Sequence, residues 1–512
     1  MIIPRLGTDA YDICTQFTDE TMTFDELLTL VSSNNAPILC TDSRLVEAGD
    51  IFVALEGTVC DGHNFIDEAL GKGAKYIVSQ KPCRCEDAEV IVVKDSAEAA
   101  AALAQASRGN PALQLTNLAV TGTNGKTTVA FFVRSCIQAA GRKCGLIGTV
   151  IYDTGSQISQ AALTTPDCLA IARQQSQMIE TGSKYMVIEA SSHALAQNRL
   201  AHIDFKAAAF TNLAGDHLDY HKTEQEYLAA KAKLFERLSP EAVAVLNKQS
   251  PQAQKIAQVT KAKILWYAVD EQADITAYIE SVDIGGTVFI LKYAGEKRTV
   301  KISLLGQHNV SNSLAAAGLC IAVGLDLQTI AVGLSALEVV LGRLEKIDFN
   351  GSFSVFIDYA HTDDALKNVL TALRPFCVGS LIVVFGCGGD RDKTKRPRMA
   401  RVAEELADFV IVTSDNPRTE QPMAIIEEVI AGFEKGPAIP YAELRGTSDE
   451  RQATRVVEPD RRKAIELAVK SAAEDDIVLI AGKGHETYQI IGAQRFDFND
   501  KKVAQQCLRQ LR

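Results

Sequence analysis

The stretch TGTNGKTT at residues 121–128 constrains the fold of this chain more than any other. The apolar run 115–120 before it predicts a buried strand, and 129–140 after it has helical spacing that stops at Gly141. A strand that enters a glycine loop and leaves as a helix is a phosphate cradle, because loop N–H groups and the positive end of the helix dipole face the anion. Lys126 would neutralise the β- and γ-phosphates, and the Thr127 hydroxyl would bind Mg2+.

The loop is a variant of the generic phosphate loop. Two residues rather than four separate Gly122 from Gly125, and Val120 stands where the first glycine would fall. A tight strand-to-helix connection without a ligand is the alternative interpretation. Lys126 and the two threonines after it favour nucleotide binding.

Length and charge narrow the class of protein. A chain of 512 residues predicts about three domains. The net charge of −11 argues against a nucleic-acid or membrane surface. The first thirty residues are acidic, which argues against a secretory signal, and no apolar run approaches the ~20 residues of a membrane span. We therefore expect a cytoplasmic protein whose twelve cysteines, which have no repeated spacing, are reduced thiols.

We expect an α/β fold with three domains, at 1–112, 113–340 and 341–512. Alternating strands and helices in the central and C-terminal parts predict parallel sheets covered on both faces. The first part reads as a small α/β domain. Within it, Ser43 and Arg44 could bind a ligand, or could form a turn with a surface charge, and taken alone the second interpretation is favoured.

Polar residues follow two predicted parallel strands of the central part, where ligands of such sheets bind. Glu189 ends the first strand and His217 follows the second, so a carboxylate and an imidazole would lie beside the Thr127 hydroxyl and could hold Mg2+. His217 and His221 are four residues apart, but Leu218 stands where a zinc protease has its glutamate. Zinc chemistry is therefore not expected.

Several further polar residues have two interpretations. Lys231 and Lys233 lie on a predicted amphipathic helix and are by default solvated charges. Asn309 could read a purine edge or cap a helix. In the C-terminal part the glycine loop lacks the dinucleotide-binding spacing, whereas Arg391 and Arg418 could each grip a carboxylate in a bidentate fork.

The ordered set of motifs resembles the Mur ligases, ATP-dependent amide-forming enzymes of peptidoglycan assembly. The motifs are TDSR at 41, DGHNF at 61, TGTNGKTT at 121, TTP at 164, EASSH at 189, DHLDYH at 216, the lysine at 231, HNxxN at 308, GR at 342, DYAHT at 358, GCGGDRD at 386, DNPR at 415 and GKGHE at 482. Together they cover essentially the whole chain. DNPR with GKGHE resembles the branch of the family that adds a diamino acid.

This resemblance implies both an architecture and a reaction. The architecture is a small N-terminal α/β UDP-binding domain, a central P-loop ATPase-type parallel-sheet domain and a C-terminal Rossmann-like domain that brings the amino acid. The reaction is the ATP-dependent addition of meso-diaminopimelate to the D-Glu of UDP-MurNAc-L-Ala-D-Glu through an acyl phosphate, with Mg2+ as cofactor and ATP as co-substrate. We expect a monomer that binds neither nucleic acid nor membrane.

The resemblance also assigns roles, motif by motif. The catalytic residues are Lys126, His217 and Lys231. ATP would be bound by Gly122, Thr123, Asn124, Gly125, Lys126, Thr127, Thr128, Asn309, Arg343 and Asp358. The UDP-muramoyl dipeptide would be bound by Ser43, Thr164, Thr165, Ser192, Gln197 and Arg199. Diaminopimelate would be bound by Arg391, Asp415, Asn416, Pro417, Arg418, Gly482 and Glu486. The metal ligands would be Thr127, Glu189, His217 and Lys231, the last as the carbamate N6-carboxylysine.

Alternatives differ in identifiable residues. The same scaffold could add L-lysine or a related diamino acid, but Arg418 offers the second carboxylate of diaminopimelate a charge-assisted pair that lysine would leave unsatisfied. A sister amide ligase would lack DNPR with GKGHE, and a non-catalytic nucleotide-binding regulator would have lost residues such as Lys126. One departure from the family pattern is Asp363 in place of a proline, and we expect little effect because aspartate also suits a helix N-terminus.

Overall fold

The computed structural model describes residues 22–34, 36–57, 60–83, 85–216, 218–436, 438–440 and 455–511. The chain divides into two compact units. The first comprises Met1–Ala119, Arg142–Lys206 and Arg237–Ser239, and the second Val120–Gly141, Ala207–Glu236 and Pro240–Arg512. Both are mixed α/β, as the sequence predicts. The boundaries of the three expected domains stay a prediction.

The first unit begins with a small parallel sheet. Its strands pair in chain order: Leu39–Cys40, Ile51–Val53, Tyr76–Ser79 and Glu89–Val92. Helices Phe24–Val31, Ile66–Gly71 and Ser96–Ala106 accompany it. Thr23 and Glu26 form a capping box at the first helix, and the Asp95 side chain caps the last. The sequence predicts strands at 50–55, 76–79 and 90–94 and a helix at 66–72, and each is confirmed with its ends within two residues.

The rest of the first unit is a second group of strands with two helices. Strand Cys144–Ile147 pairs in parallel with Tyr185–Glu189 and antiparallel with Ile151–Asp153, which continues antiparallel to Ile158–Gln160. Helix Cys168–Glu180 is capped by the Asp167 side chain, and the short helix Ser192–Ala196 follows Glu189. Glu189 is thus held at the carboxyl end of a buried strand.

Strand Thr116–Thr121 carries the chain from the first unit into the second, where helix Lys126–Ala139 follows the glycine loop. Parallel strands then pair in chain order, and two antiparallel strands complete the run. The strands are Phe205–Phe210, Val243–Asn247, Lys263–Val269, Ile275–Asp283, Gly286–Tyr293 and Glu296–Ile302. The helices are Leu218–His221, Glu224–Glu236, Ala253–Val259, Gln307–Ala322 and Leu327–Ala336.

The C-terminal part of the second unit is the doubly wound sheet that the sequence predicts. Its strands lie in the order Glu345–Lys346, Ser354–Asp358, Ile477–Ala481, Leu381–Phe385, Phe409–Val412, Arg455–Val457 and Ile439–Pro440. The helices are Asp363–Leu373, Lys395–Leu406, Pro422–Ile430, Arg461–Ser471 and Asp500–Gln510, and a hairpin is formed by Tyr488–Ile491 and Gln494–Asp497. Alternate residues of the central strands enter two separate apolar clusters, so the sheet is covered on both faces.

Helix bounds also agree with sequence expectations near the site. Helix Asp363–Leu373 starts with Asp363 in its first turn, where a negative charge is favourable. Among the helices that the structure describes, none is both long enough and apolar enough to cross a membrane.

Candidate active site

The glycine loop between strand Thr116–Thr121 and helix Lys126–Ala139 is built for close backbone approach. Gly122 and Gly125 have φ of +145° and +89°, which side chains other than hydrogen rarely allow. A Cβ at Gly125 would overlap the carboxamide of Asn312, and one at Gly122 would overlap the Thr211 hydroxyl. The two glycines are therefore required by conformation and by space.

Polar groups converge on this loop from later parts of the chain. The Asn212 side chain accepts from the Asn124 N–H at 2.9 Å, and Asn124 donates to Asp364 Oδ2 at 2.8 Å. Lys126 Nζ donates to the carbonyls of Gly122 and Thr123 at 2.9 and 2.7 Å. The loop thus holds its lysine at the start of the helix, where an anion would bind.

Arg343 reaches the phosphate loop from the C-terminal part of the chain. Its Nη2 donates to Thr127 Oγ1 at 3.1 Å, and its guanidinium lies 4.8 Å from the centre of the Tyr359 ring. Asp358 lies on the strand before Tyr359 and accepts from the N–H groups of Leu344 and Ala360 at 2.6 and 2.7 Å. Burial raises the pKa of Asp358, although Arg343 acts in the opposite direction. Its hydrogen bonds position the chain around Arg343.

Asn309 lies inside helix Gln307–Ala322, and Gly306 occupies the N-cap. Asn309 Nδ2 donates to the Leu305 carbonyl at 2.8 Å, and its Oδ1 accepts from Asn312 at 3.1 Å. Asn309 therefore orients Asn312, which packs against Gly125. Sequence reasoning missed Asn312, although it is the last residue of HNxxN.

Lys231 is buried, with an exposed fraction of 1%. Its Nζ donates to the Gly122 carbonyl at 2.8 Å and lies 4.4 Å from the centre of the Tyr227 ring. Burial lowers the pKa of Lys231 well below its ordinary value, the charge of Lys126 lowers it further, and Asp216 opposes both. The solvated-charge interpretation of Lys231 is wrong, because the helix Glu224–Glu236 turns this residue inward against the loop.

His217 lies outside the described residues, but its neighbour Asp216 is a buried carboxylate that faces one lysine and one histidine. Asp216 lies 4.0 Å from His361 Nε2 and 3.7 Å from Lys395 Nζ. Burial and the charge of Lys395 lower the pKa of His361 to about 4, so the ring is neutral at pH 7.

In the first unit, Glu189 organises a compact group of predicted residues. Its carboxylate is fully buried and accepts from the Thr149 N–H at 2.8 Å and from the Thr149 hydroxyl at 2.9 Å. Thr149 Oγ1 also lies 3.1 Å from Thr164 Oγ1, whose hydroxyl can donate to it because the Thr149 proton goes to Glu189. Thr165 Oγ1 donates to the Glu189 carbonyl at 2.6 Å, and Arg199 Nη1 donates to the Thr165 carbonyl at 2.8 Å.

The other predicted residues of the first unit fall into two places. Arg199 also donates to Gln197 Oε1 at 2.6 and 3.0 Å, so these two belong to the group around Glu189. Ser192 begins the helix after Glu189, and its buried hydroxyl has no hydrogen-bond partner within the described part of the chain. Ser43 begins the short 3-10 helix Ser43–Leu45, after the first strand of the small parallel sheet, and donates to Glu68 Oε2 at 2.9 Å, while the exposed Arg44 pairs with Asp42.

The motifs DNPR and GKGHE meet at the carboxyl edge of the C-terminal sheet. Lys483, fully buried, donates to Asn416 Oδ1 and Glu486 Oε2 at 3.0 Å each and lies 3.6 Å from Asp415. Asn416 Nδ2 donates to Glu486 at 2.9 Å. Burial raises the pKa of Glu486, although Lys483 acts in the opposite direction. Asp415 lies so close to Gly482 that a Cβ there would come within 2.7 Å of Asp415 Oδ2. Sequence reasoning gave Lys483 no role, since a lone lysine between glycines reads as exposed.

Arg418 is held in an unusual backbone conformation. Its φ is +50°, and its backbone N–H and carbonyl bind Ile490 and Gly492 of the C-terminal hairpin at 3.1 and 2.7 Å. Its Nη1 donates to the Gly389 carbonyl at 2.6 Å. Burial and the charge of Arg391 lower the pKa of Arg418. Arg391 is exposed and donates to the Asp390 carbonyl, and its side chain lies with that of Arg418 beside Gly388.

Helix Lys126–Ala139 carries Lys126 and Thr127 behind a strand and a glycine loop, and Arg343 joins this loop to a doubly wound sheet. These features define a nucleotide-binding α/β protein of the phosphate-loop class. Comparison with known proteins narrows this class. The families described as "Mur ligase family, catalytic domain", "Mur ligase middle domain" and "Mur ligase, glutamate ligase domain" match residues 37–111, 120–320 and 342–484. The chain belongs to the Mur ligase family.

Individual relatives agree with this assignment. A UDP-N-acetylmuramoyl-L-alanyl-D-glutamate--2,6-diaminopimelate ligase of Geobacillus kaustophilus is 42% identical over 475 residues, which cover 92% of this chain and 94% of the relative. A solved structure of a ligase with the same name is 32% identical, covers 96% of this chain and 99% of its own, and has a TM-score of 0.63. MurF from Acinetobacter baumannii, 20% identical over 90% of this chain and 96% of its own, has a TM-score of 0.62 and shares the fold.

Proposed function

We propose that this enzyme is the ATP-dependent ligase that joins an amine of meso-diaminopimelate to the D-Glu carboxylate of UDP-MurNAc-L-Ala-D-Glu in peptidoglycan synthesis. The observation that carries the proposal is the hydrogen bond from Arg343 to Thr127, because it joins the part of the chain that holds DNPR and GKGHE to the phosphate loop. A simple ATPase would not need that connection. Two relatives with this name, each 42% identical to this chain, support the same reaction.

The chemistry follows from the residues around the loop. The γ-phosphoryl group of ATP passes to the D-Glu carboxylate and ADP leaves, and the amine then attacks the acyl phosphate and releases inorganic phosphate. Both steps develop negative charge on oxygen, which the cations Lys126 and Arg343 are placed to stabilise. The chain supplies positioning and charge, and no side-chain nucleophile is required.

Mg2+ is part of the proposal, with Thr127, Glu189, His217 and Lys231 as its predicted ligands. The donor chemistry of Glu189 fits, since its buried carboxylate is a hard oxygen ligand that Thr149 orients. When bound, Mg2+ would neutralise phosphate charge. Lys231 would contribute as a carbamate, and its lowered pKa supports this, because only a neutral amine reacts with CO2.

The acceptor and amine sites are assigned by the same reasoning. The UDP-muramoyl dipeptide would be bound by Thr164, Thr165, Ser192, Gln197 and Arg199, together with Ser43 on the 3-10 helix beside the N-terminal sheet. Asp415, Asn416 and Glu486 would bind the amino-acid end of diaminopimelate that reacts, and Arg418 with Arg391 would pair with its distant carboxylate. The remaining predicted contacts to nucleotide and amine come from the loop backbone and from Asn309, Asp358, Pro417 and Gly482. We also propose three domains, at 1–112, 113–340 and 341–512, and a monomer that acts in the cytoplasm, where ATP is supplied.

The test is phosphate release by the purified enzyme with ATP, Mg2+ and UDP-MurNAc-L-Ala-D-Glu, compared for meso-diaminopimelate, L-lysine and no amine, with the product mass measured. Lys126→Met is the control for release by contaminating enzymes. We expect release and a tripeptide product with diaminopimelate. A product with lysine instead would retain the ligase and remove the assignment of Arg418, and no product with either would overturn the proposal.

A further inference from the structure

We infer that Arg396 is a positioning residue for the amine substrate, acting through Glu420 to hold Arg418 against the glycine loop 386–391. The inference rests on the proposed function only in naming Arg418 as the group that contacts the amine. Arg396 lies on helix Lys395–Leu406, behind the loop, and its exposed fraction is 0%. A buried arginine that touches no reacting group needs a structural partner, and the partners here are the two loops of the amine site.

The guanidinium of Arg396 binds both loops at once. Nη2 donates to the Gly388 carbonyl at 3.1 Å and to Glu420 Oε1 at 2.8 Å. Nη1 donates to Glu420 Oε2 at 2.9 Å and to Glu428 Oε2 at 2.7 Å. The bidentate pair with Glu420 fixes both distance and orientation, which a lysine could not do.

Glu420 lies two residues after Arg418, and it joins the segment that carries Arg418 to the glycine loop. Glu420 Oε1 accepts from the Asp390 N–H at 2.6 Å. The Asp390 carboxylate accepts from the Thr419 N–H and hydroxyl at 3.2 and 2.7 Å. Arg418 Nη1 donates to the Gly389 carbonyl at 2.6 Å. These hydrogen bonds, together with the backbone links 388–390 and 418–420, therefore connect Arg396 to Arg418 through both loops.

The glycine loop 386–391 and the segment 415–418 are packed directly against each other. The Gly389 N–H donates to the Asn416 carbonyl at 2.9 Å, and a Cβ at Gly389 would overlap the Pro417 carbonyl. A Cβ at Gly388 would lie 3.0 Å from Arg418 Nη1. A shift of the glycine loop thus moves the Arg418 guanidinium directly, and a misplacement of about 1 Å can reduce the rate about 10²-fold.

Glu420→Gln is the test variant, with Glu404→Gln as its matched control. Glu404 lies on the same helix as Arg396, pairs with Arg455 Nη1 at 3.1 Å and accepts two backbone N–H groups, of Glu434 and Lys435, away from both loops. Each variant removes one carboxylate charge from an ion pair with an arginine, Arg396 being fully buried and the Arg455 side chain 14% exposed. Initial rates of phosphate release give KM for the amine, for ATP and for the UDP-muramoyl dipeptide, and the melting temperature is measured alongside.

We expect Glu420→Gln to raise KM for diaminopimelate at least tenfold and to reduce the preference for diaminopimelate over lysine. KM for ATP and KM for the UDP-muramoyl dipeptide should stay within about twofold of their wild-type values. Glu404→Gln should lose comparable thermal stability and leave KM for diaminopimelate unchanged. Arg396→Lys, which keeps one charge-assisted bond, should be intermediate between wild type and Arg396→Met.

Two outcomes would overturn the inference. One is a fall in both kcat and the melting temperature of Glu420→Gln while KM for the amine is unchanged, which would mean a structural role alone. The other is an equal rise of all three KM values. If the wild type uses lysine instead of diaminopimelate, the proposed substrate fails, and a selective rise in KM for lysine in Glu420→Gln would still support the positioning role. No release with any amine would overturn both.

Discussion

Replacing Gly125 with alanine would separate two reasons for this glycine in the phosphate loop. The first is its backbone, since a φ of +89° costs a residue with a side chain about 1–2 kcal/mol. The second is space, because the new Cβ would displace the Asn312 carboxamide and break its 3.1 Å hydrogen bond to Asn309, at a cost of about 1 kcal/mol. We expect Gly125→Ala to lower the free energy of unfolding by about 2–3 kcal/mol in total.

The assay is urea unfolding followed by the fluorescence of Trp266, the single tryptophan, which lies on strand Lys263–Val269 of the same unit. Gly141→Ala is the matched control, since Gly141 has a φ of +70° at the other end of the same helix and nothing within 4 Å of its Cβ position. It should lose only the conformational part, about 1–2 kcal/mol. ATP affinity should fall in Gly125→Ala and stay unchanged in the control.

A second variant isolates the steric part. Asn312→Ser in the Gly125→Ala background removes the overlapping carboxamide. The free energy of unfolding of the double variant should therefore be about 1 kcal/mol higher than the sum of the two single changes predicts. If Gly125→Ala were no more destabilising than Gly141→Ala, or if Asn312→Ser recovered nothing, the proposed contact between the loop and helix Gln307–Ala322 would be refuted.

Three further predictions concern single side chains. Lys231→Met should lower kcat about 10²–10³-fold, and enzyme equilibrated with ¹³C-labelled CO2 should show a carbamate NMR signal that the variant lacks; a signal of equal size in both would remove the carbamate assignment. Arg418→Lys should raise KM for diaminopimelate about 10–100-fold, because a bidentate charge-assisted pair becomes a single one, whereas an unchanged KM would exclude contact with the substrate. Hydrogen bonds from Arg396 lower the pKa of Glu420 from 4.5 to about 2, so this pair adds stability above pH 4.5 that is lost as the pH falls towards 2. Glu420→Gln should therefore lower the free energy of unfolding by about 1–3 kcal/mol at pH 7 and make the melting temperature fall less steeply with acid than in the wild type. Plots of melting temperature against pH that run parallel for the two proteins would contradict this.

Much of the fold could be predicted because its signals are local. Apolar runs that end in polar loops predict core strands at 355–358, 381–385, 409–413 and 477–481, and the observed strands agree to within one residue at each end. Residues 263–302 carried no such prediction. Strand Glu296–Ile302 exposes most of its charged side chains, so it lacks the buried run that marks an inner strand.

In the candidate site, too, the residues with a local sequence signal could be predicted and the others could not. Gly122, Gly125, Lys126 and Thr127 could be found because their spacing is contiguous and tied to one physical task. Arg396 could not, since its partners Glu420 and Glu428 lie 24 and 32 residues away and only the folded chain brings them together. The same holds for Asn312, whose contact with Gly125 depends on the packing of two helices.

Gly389 packs so closely against the Pro417 carbonyl that no side chain fits at this position, and this has a consequence for engineering the enzyme. If Arg418 selects the amine as proposed, it does not do so as a separable part, because its guanidinium donates to the Gly389 carbonyl of the loop at 386–391. A variant library that randomises only 415–418 would sample side chains against a fixed backbone that admits few of them. A change of substrate would be reached more readily by exchanging both loops, with their Arg396–Glu420 support, as one cassette.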